Sequence, residues 1–305
     1  MKRLFTFGCS YTAYCWPSYS NFLQLEFDEY ENWGFSGIGN RAIAERVAEC
    51  HARYKFTPDD VVIVQWSSHI RNDFYSLESL PDRSPGWKTY GSIFSYLNAD
   101  LYDAKWVNTF FYEPAYLMHT LNFIMLTQCL LESIGCKWYM TSIGDVRDMG
   151  HDMRDKIEYG EKTDISKYKR DLNYDKLAWN IVPDLHVYNK PIWEDNADHW
   201  LMPLELFCQT CPELTYDFIT KTGEAFVDLH PSSRQHLLWL KQELGDKLNI
   251  SEETLKNCES IVENVEALYK KYKTDKIVFE FTLADKNKIA PTIDKFIWPG
   301  QPRGF

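Results

Sequence analysis

Apolar positions in the first half of the chain fall into short continuous runs, and between the runs they recur every three or four residues. The runs at 4–7, 61–66 and 137–142 are too short for helices and are bounded by turn-forming residues, so they are predicted as buried strands, with a further strand at 31–33. Helical spacing covers 17–25, 41–54 and 115–133, the last closed by Gly135 as a C-cap. Ser232 and Ser233 open a later helix that reaches about residue 244. Strands alternating with helices predict an α/β fold, an open parallel sheet covered on both faces in the doubly wound, three-layer αβα manner.

Two stretches break the alternation: 74–112, dense in aromatics, and 145–223, polar, charged and without clear strand periodicity. They are read as insertions, which in a compact domain shape a binding site or form a lid. The domain so defined runs over 1–246. The remaining 247–305 begins with a helical pattern at 251–272, where Leu255, Cys258, Val262, Val265 and Tyr269 share a face, and continues into a strand-like 276–282. This α/β extension is expected to pack on the body or on a partner, either a second copy or a virion assembly.

Composition narrows the function. With 305 residues the chain is long enough for one elaborated domain. A net charge of -11 argues against a phosphate-tracking surface, so nucleic acid is not an expected partner. No run of about 18 apolar residues occurs, which excludes an evident membrane helix. The apolar start after Lys2 and Arg3 is too short for a signal peptide, which sets the expectation of a cytoplasmic or virion-associated protein. Eight scattered cysteines are read as reduced thiols. Cys208 and Cys211 form a C-x-x-C pair that lacks the further ligands of a zinc site, and no metal or cofactor is expected.

The chemistry concentrates in two places. Residues 4–7 run into Gly8-Cys9-Ser10, which puts a serine at the carboxyl end of a strand, where open α/β sheets bind ligands. A serine hydroxyl needs a neighbouring base, usually a histidine oriented by a carboxylate. Asp228-Leu229-His230-Pro231, just before the late helix, offers that pair. Cys9 is one residue off the Gly-x-Ser geometry and is read as a packed side chain.

Taken in order, these pieces resemble the SGNH or GDSL-like hydrolases, and their wording is closest to uncharacterised bacterial and tailed-phage members that begin Gly-Cys-Ser-Phe/Tyr-Thr. Gly8-Cys9-Ser10 matches the first block with Cys9 in place of the usual Asp; Asn32 to Asn40 matches the second; Asp228 and His230 match the last. The resemblance implies a flavodoxin-like αβα fold, Ser10 as nucleophile, His230 as base, Asp228 as the orienting acid, and an oxyanion hole that includes the Gly37 amide. It also implies a serine esterase acting on a small-molecule or glycan ester, an acetyl group on a carbohydrate being the substrate considered first. An O-acyltransferase using the same site and a non-catalytic virion or structural protein are the rivals.

Two departures from the family pattern are visible. The third block should supply an Asn side chain to the oxyanion, but residues 61–66 are followed by Ser67-Ser68-His69-Ile70-Arg71-Asn72-Asp73. Strand alignment puts His69 at that place and a three-residue slip puts Asn72 there, while Ser67 also carries a donor, so the third donor is open among Ser67, His69 and Asn72. The acid and base are separated by one residue rather than two, and Val227 holds the usual acid position. Either the loop absorbs the contraction, or the site is a Ser-His dyad, or Asp198 in the second insertion substitutes. Trp66 and Arg71 are read either as pocket lining or as a core aromatic and a surface cation. The aromatics of 74–112 are read as packing or as a platform for a sugar or acyl group.

Overall fold

The computed structural model describes residues 2–76, 86–88, 93, 102, 104–146, 188–219, 225–228, 230–275, 285, 288–293 and 296. The strand-like 276–282 and much of the second insertion fall outside them. In chain order the elements are β1 (Arg3–Phe7), α1 (Tyr19–Leu23), β2 (Glu29–Asn32), α2 (Asn40–Tyr54), β3 (Val61–Trp66), β4 (Phe74–Ser76), β5 (Gly86–Lys88), α3 (Ala104–Phe110), α4 (Glu113–Ile134), β6 (Lys137–Ser142), α5 (Leu204–Cys208), β7 (Asp217–Ile219), β8 (Ala225–Val227), α6 (Ser233–Leu248) and α7 (Glu252–Asp275).

The protein is an α/β molecule built on a four-stranded sheet in the order β2-β1-β3-β6. All three strand pairs are parallel, with Phe5 beside Glu31 and Val62, and Val62 beside Trp138. Every residue of β3 is buried, as are Leu4 to Phe7 of β1, which is why these strands read as mainly apolar runs with Thr6 and Gln65 as their polar members. β2 lies at the edge and consists of Glu29, Tyr30, Glu31 and Asn32, all at least partly exposed. Its polar composition hides it from a search for apolar runs. The strand expected at 31–33 therefore begins two residues earlier and ends one earlier, and Trp33, buried beyond it, continues the ladder by donating its amide to the Thr6 carbonyl at 2.8 Å.

Among the helices, α2 packs with α4 and α1 with α6. Gly135, at φ +75°, ends α4 in the left-handed conformation expected of a C-cap. Ser232 caps α6 through a reciprocal pair with Gln235: its hydroxyl accepts the Gln235 amide at 3.2 Å, and its own amide donates to Gln235 Oε1 at 2.9 Å. The helix runs four residues past the expected end, to Leu248, where Asn249 turns left-handed at φ +53°. α7 then lies against α6, burying Cys258, Ile261, Val262 and Val265. Arg234 and Lys241 of α6 bind Glu259 and Glu266 of α7. This part of the extension packs on the body.

The first insertion forms the antiparallel hairpin β4–β5 and the helix α3. Ile70, Ile93, Tyr102, Val107 and Phe111 make a small core there, with Phe74, Trp106 and Tyr116 against it. The described aromatics of this insertion thus mostly pack on one another, and Phe110 stands out at 65% exposed. In the second insertion, Leu201 donates its amide to the Met140 carbonyl at 2.9 Å, attaching the chain to the outer edge of β6 before α5. No described helix is long and apolar enough to cross a membrane.

Candidate active site

β1 delivers Ser10 at the centre of the sheet, beside the point where strand order reverses between β1 and β3. Gly8 makes the turn possible. Its φ is +155°, and a Cβ there would lie 2.2 Å from Thr12 Oγ1 and 2.8 Å from Gln65 Oε1. The Cys9 carbonyl then accepts the amides of Thr12 (2.9 Å) and Ala13 (3.1 Å), closing a tight bend around Ser10. Cys9 itself points inward: it is fully buried, and both its amide and its thiol bond Gln65 Oε1, at 3.2 and 3.3 Å. It is a packed side chain, as the sequence reading expected.

The late loop folds back onto this bend. Trp16 Nε1 donates to the Pro231 carbonyl at 2.8 Å, and Ser233 Oγ to the Pro17 carbonyl at 2.8 Å, so the far end of the Ser10–Pro17 segment holds the start of α6. The result is a continuous chain of side chains: Ser10 Oγ lies 2.8 Å from His230 Nε2, and His230 Nδ1 lies 2.5 Å from Asp228 Oδ1. The single residue between acid and base is accommodated because Asp228 Oδ1 also accepts the His230 backbone amide, at 2.9 Å. This is an Asx-type turn, in which a carboxylate bonds an amide two residues on. Burial opposes ionisation of Asp228, but the His230 side chain, its charge and amide, and Tyr14 outweigh it and hold the carboxyl below the usual range.

Asp198 is not near this chain. Its carbonyl accepts Lys247 at 3.2 Å, and the adjacent His199 bonds the Trp138 carbonyl at 2.8 Å, which places both at the opposite end of β6. The substitute-acid expectation is corrected by that position.

No known family model matches the chain. Nor does any curated protein.

On the other side of Ser10, residues 32–40 wrap the bend that carries it. Phe35 donates its amide to the Gly8 carbonyl at 2.9 Å, and Asn32 Nδ2 bonds the Thr12 carbonyl at 3.2 Å. Ser36 and Gly37 form the ensuing turn, closed by the Ile38 amide on the Phe35 carbonyl at 3.3 Å, with Gly37 at φ +82°. Among the described residues the backbone amides of Ser10 and Gly37 have no protein acceptor.

The third block is occupied with structure. Asn40 bonds both the amide and the carbonyl of Ser67, at 2.7 and 2.9 Å. Arg71 donates to the Ile38 carbonyl at 3.0 Å, and the Asn72 carbonyl accepts Tyr102 at 3.3 Å. Asp73 accepts the amides of Gly39 (2.8 Å) and Ala42 (3.0 Å), capping α2 from outside because Gly39 has no side chain to do so. Burial pushes the Asp73 carboxyl up, against the pull of those amides and Arg71. The structure joins none of the Ser67, His69 and Asn72 side chains to Ser10 by a described hydrogen bond. Ser67 Oγ is buried without a partner among the described residues, and His69 is buried. Trp66 is fully buried with Nε1 on Met140 Sδ at 3.3 Å, so it is the core aromatic and not pocket lining. Arg71 is half-buried and props the Gly37 turn.

Tyr14 and Tyr11 escaped the sequence reading. Tyr14 donates to Asp228 Oδ2 at 2.9 Å and stacks on the His230 ring, centroids 3.9 Å apart at 17°. Tyr11 meets the same ring edge-on at 5.5 Å. Their only sequence signal is a pair of aromatics one and four residues after the serine. Burial raises both phenols above their ordinary range. Cys208 and Cys211 are free thiols, and burial pushes Cys208 up to about 12, the opposite of an activated redox cysteine. No metal-binding cluster occurs among the described residues.

Proposed function

We propose that the chain is a serine esterase of the SGNH type, with Ser10, His230 and Asp228 as its triad. The observation that carries the reading is the hydrogen-bond chain from Ser10 Oγ through both ring nitrogens of His230 to Asp228. An alcohol, an imidazole and a carboxylate in that order are what acyl transfer requires. The nucleophile's place after the first strand of a parallel sheet agrees with that family's order of blocks.

In this reading Ser10 Oγ attacks the ester carbonyl while His230 Nε2 takes its proton. Asp228 holds the imidazole in the tautomer with hydrogen on Nδ1 and stabilises the imidazolium. The amides of Ser10 and Gly37 receive the oxyanion. His230 returns the proton to the departing alcohol, leaving acyl-Ser10. Water, deprotonated by the same nitrogen, then releases the acid. Ser10 is only 4% exposed and the two tyrosines stand beside its base, which favours a small acyl group such as acetyl; a carbohydrate carrier is the substrate to test first.

The test is covalent labelling with a fluorophosphonate probe, the adduct located by mass. The expected result is an adduct on Ser10, absent in His230→Ala, with acetyl-ester hydrolysis that falls by about 10⁴-fold or more in Ser10→Ala. No labelling of the folded protein and no hydrolysis above the Ser10→Ala control would overturn the proposal in favour of a non-catalytic role.

A further inference from the structure

We propose that Tyr14 is a positioning residue of this site, fixing the Asp228–His230 pair for Ser10 by binding the carboxylate oxygen turned away from the imidazole and by covering one face of the ring. The inference rests on the esterase reading. One side chain reaches two members of the triad at once: its hydroxyl is 2.9 Å from Asp228 Oδ2, and its ring lies nearly parallel to His230 at 3.9 Å.

Each contact has a separate consequence. Asp228 Oδ1 already takes the Nδ1 hydrogen and the His230 amide, and among the described residues the donor to Oδ2 of this buried carboxylate is Tyr14. A donor on each oxygen fixes the carboxylate plane and therefore the direction of Nδ1. It also draws charge from the carboxylate and weakens its preference for imidazolium. The stacked ring opposes rotation of the imidazole and favours its charged form through the π face. Tyr14 is itself held, with Trp16 edge-on at 4.5 Å and Trp16 tied to the Pro231 carbonyl.

Among the described residues the other groups at His230 are Ser10, Tyr11 and, within α6, His236, which burial keeps neutral. Glu205, Cys9, Cys208 and Arg71 act electrostatically on Tyr11. Both phenols stay protonated through the working range because burial raises them. The two contributions of Tyr14 can thus be separated by substitution.

The experiment measures kcat and KM for p-nitrophenyl acetate against pH in the full chain, for wild type, Tyr14→Phe and Tyr14→Leu, alongside NMR titration of ¹³C-labelled histidine. Tyr14→Phe keeps the ring and loses the donor. It should lower kcat by about 10-fold with KM changed less than about twofold, and move the acidic limb up by about 0.5 pH unit. Tyr14→Leu should lose about a further 10-fold and bring the limb back down, because the π face is gone. If the Tyr14→Phe profile and its His230 titration both superimpose on wild type, the positioning role is wrong. A wild type without turnover would instead remove the esterase reading, and the NMR titration, which needs no turnover, would still decide the role of Tyr14.

Discussion

Two loops meet at the carboxyl end of the sheet and use their polar groups differently. The loop before α6 binds the loop after β1 through polar side chains in a line that ends at Ser10: Tyr14 to Asp228, Asp228 to His230, His230 to Ser10. Around the loop after β3, polar side chains bind backbone: Asn40, at the start of α2, clamps Ser67, while Arg71 holds Ile38 and Asp73 caps α2. The first loop carries groups that can change protonation during a reaction, and the second fixes the backbone that carries Gly37. In the proposed esterase, an oxyanion hole made of the Ser10 and Gly37 amides would depend more on main-chain placement than on a side-chain donor.

The comparison breaks most sharply at the acid. Asp228→Asn keeps size but presents an amide to Nδ1, which stabilises the wrong tautomer, and ester hydrolysis should fall by about 10⁴-fold. Fluorophosphonate labelling should slow in parallel while the melting temperature changes little. An activity within 10-fold of wild type would mean that the pair works as a Ser-His dyad.

Next comes Asp73, where the expected loss is in stability. Asp73→Ala leaves the Gly39 and Ala42 amides without their acceptor, and should cost about 2 to 3 kcal/mol in denaturant unfolding. Some activity should go with it, since Gly37 lies just ahead of the uncapped helix start. A stable variant would show that the third block does not hold the second.

What was legible in the sequence follows the same division. β1, β3 and β6 could be found because their burial leaves mainly apolar runs, whereas β2 at the edge carried no such signal. Ser10, Asp228 and His230 stand out because each sits next to a strand end or helix start with chemically matched neighbours. Tyr14 and Asp73 did not, because their significance lies in contacts across 214 and 31 to 34 residues that no local pattern records. The aromatics of the first insertion were visible as composition, yet composition alone does not distinguish a platform from the small core that Tyr102, Phe111 and their neighbours form.

Acid should disturb the base-carrying side through His236. This residue, one turn into α6, is fully enclosed, and burial, with His230 adding to it, lowers its pKa to about 3 against an ordinary 6.5. The folded state therefore leaves it neutral where the unfolded chain binds a proton. Its contribution to stability is complete above about pH 6.5 and declines as pH falls towards 3, by about 2 kcal/mol at pH 5. In His236→Phe that part of the pH dependence should disappear from unfolding curves measured between pH 7 and 5. An unchanged slope would exclude His236 as its source.

The smallest effect tests the third block directly. Ser67 sits at the end of β3 with its backbone clamped by Asn40 and its hydroxyl buried without a described partner. If that hydroxyl served the oxyanion, Ser67→Ala would cost about 100- to 1000-fold in kcat. If the hole is built from the Ser10 and Gly37 amides, kcat should stay within about threefold. Removing a buried polar group that lacks a partner should then raise stability by up to about 1 kcal/mol. Activity and stability moving in these directions together would assign the second loop to scaffolding, because a side chain that binds the reacting oxygen cannot be deleted at a gain on one scale and almost no loss on the other.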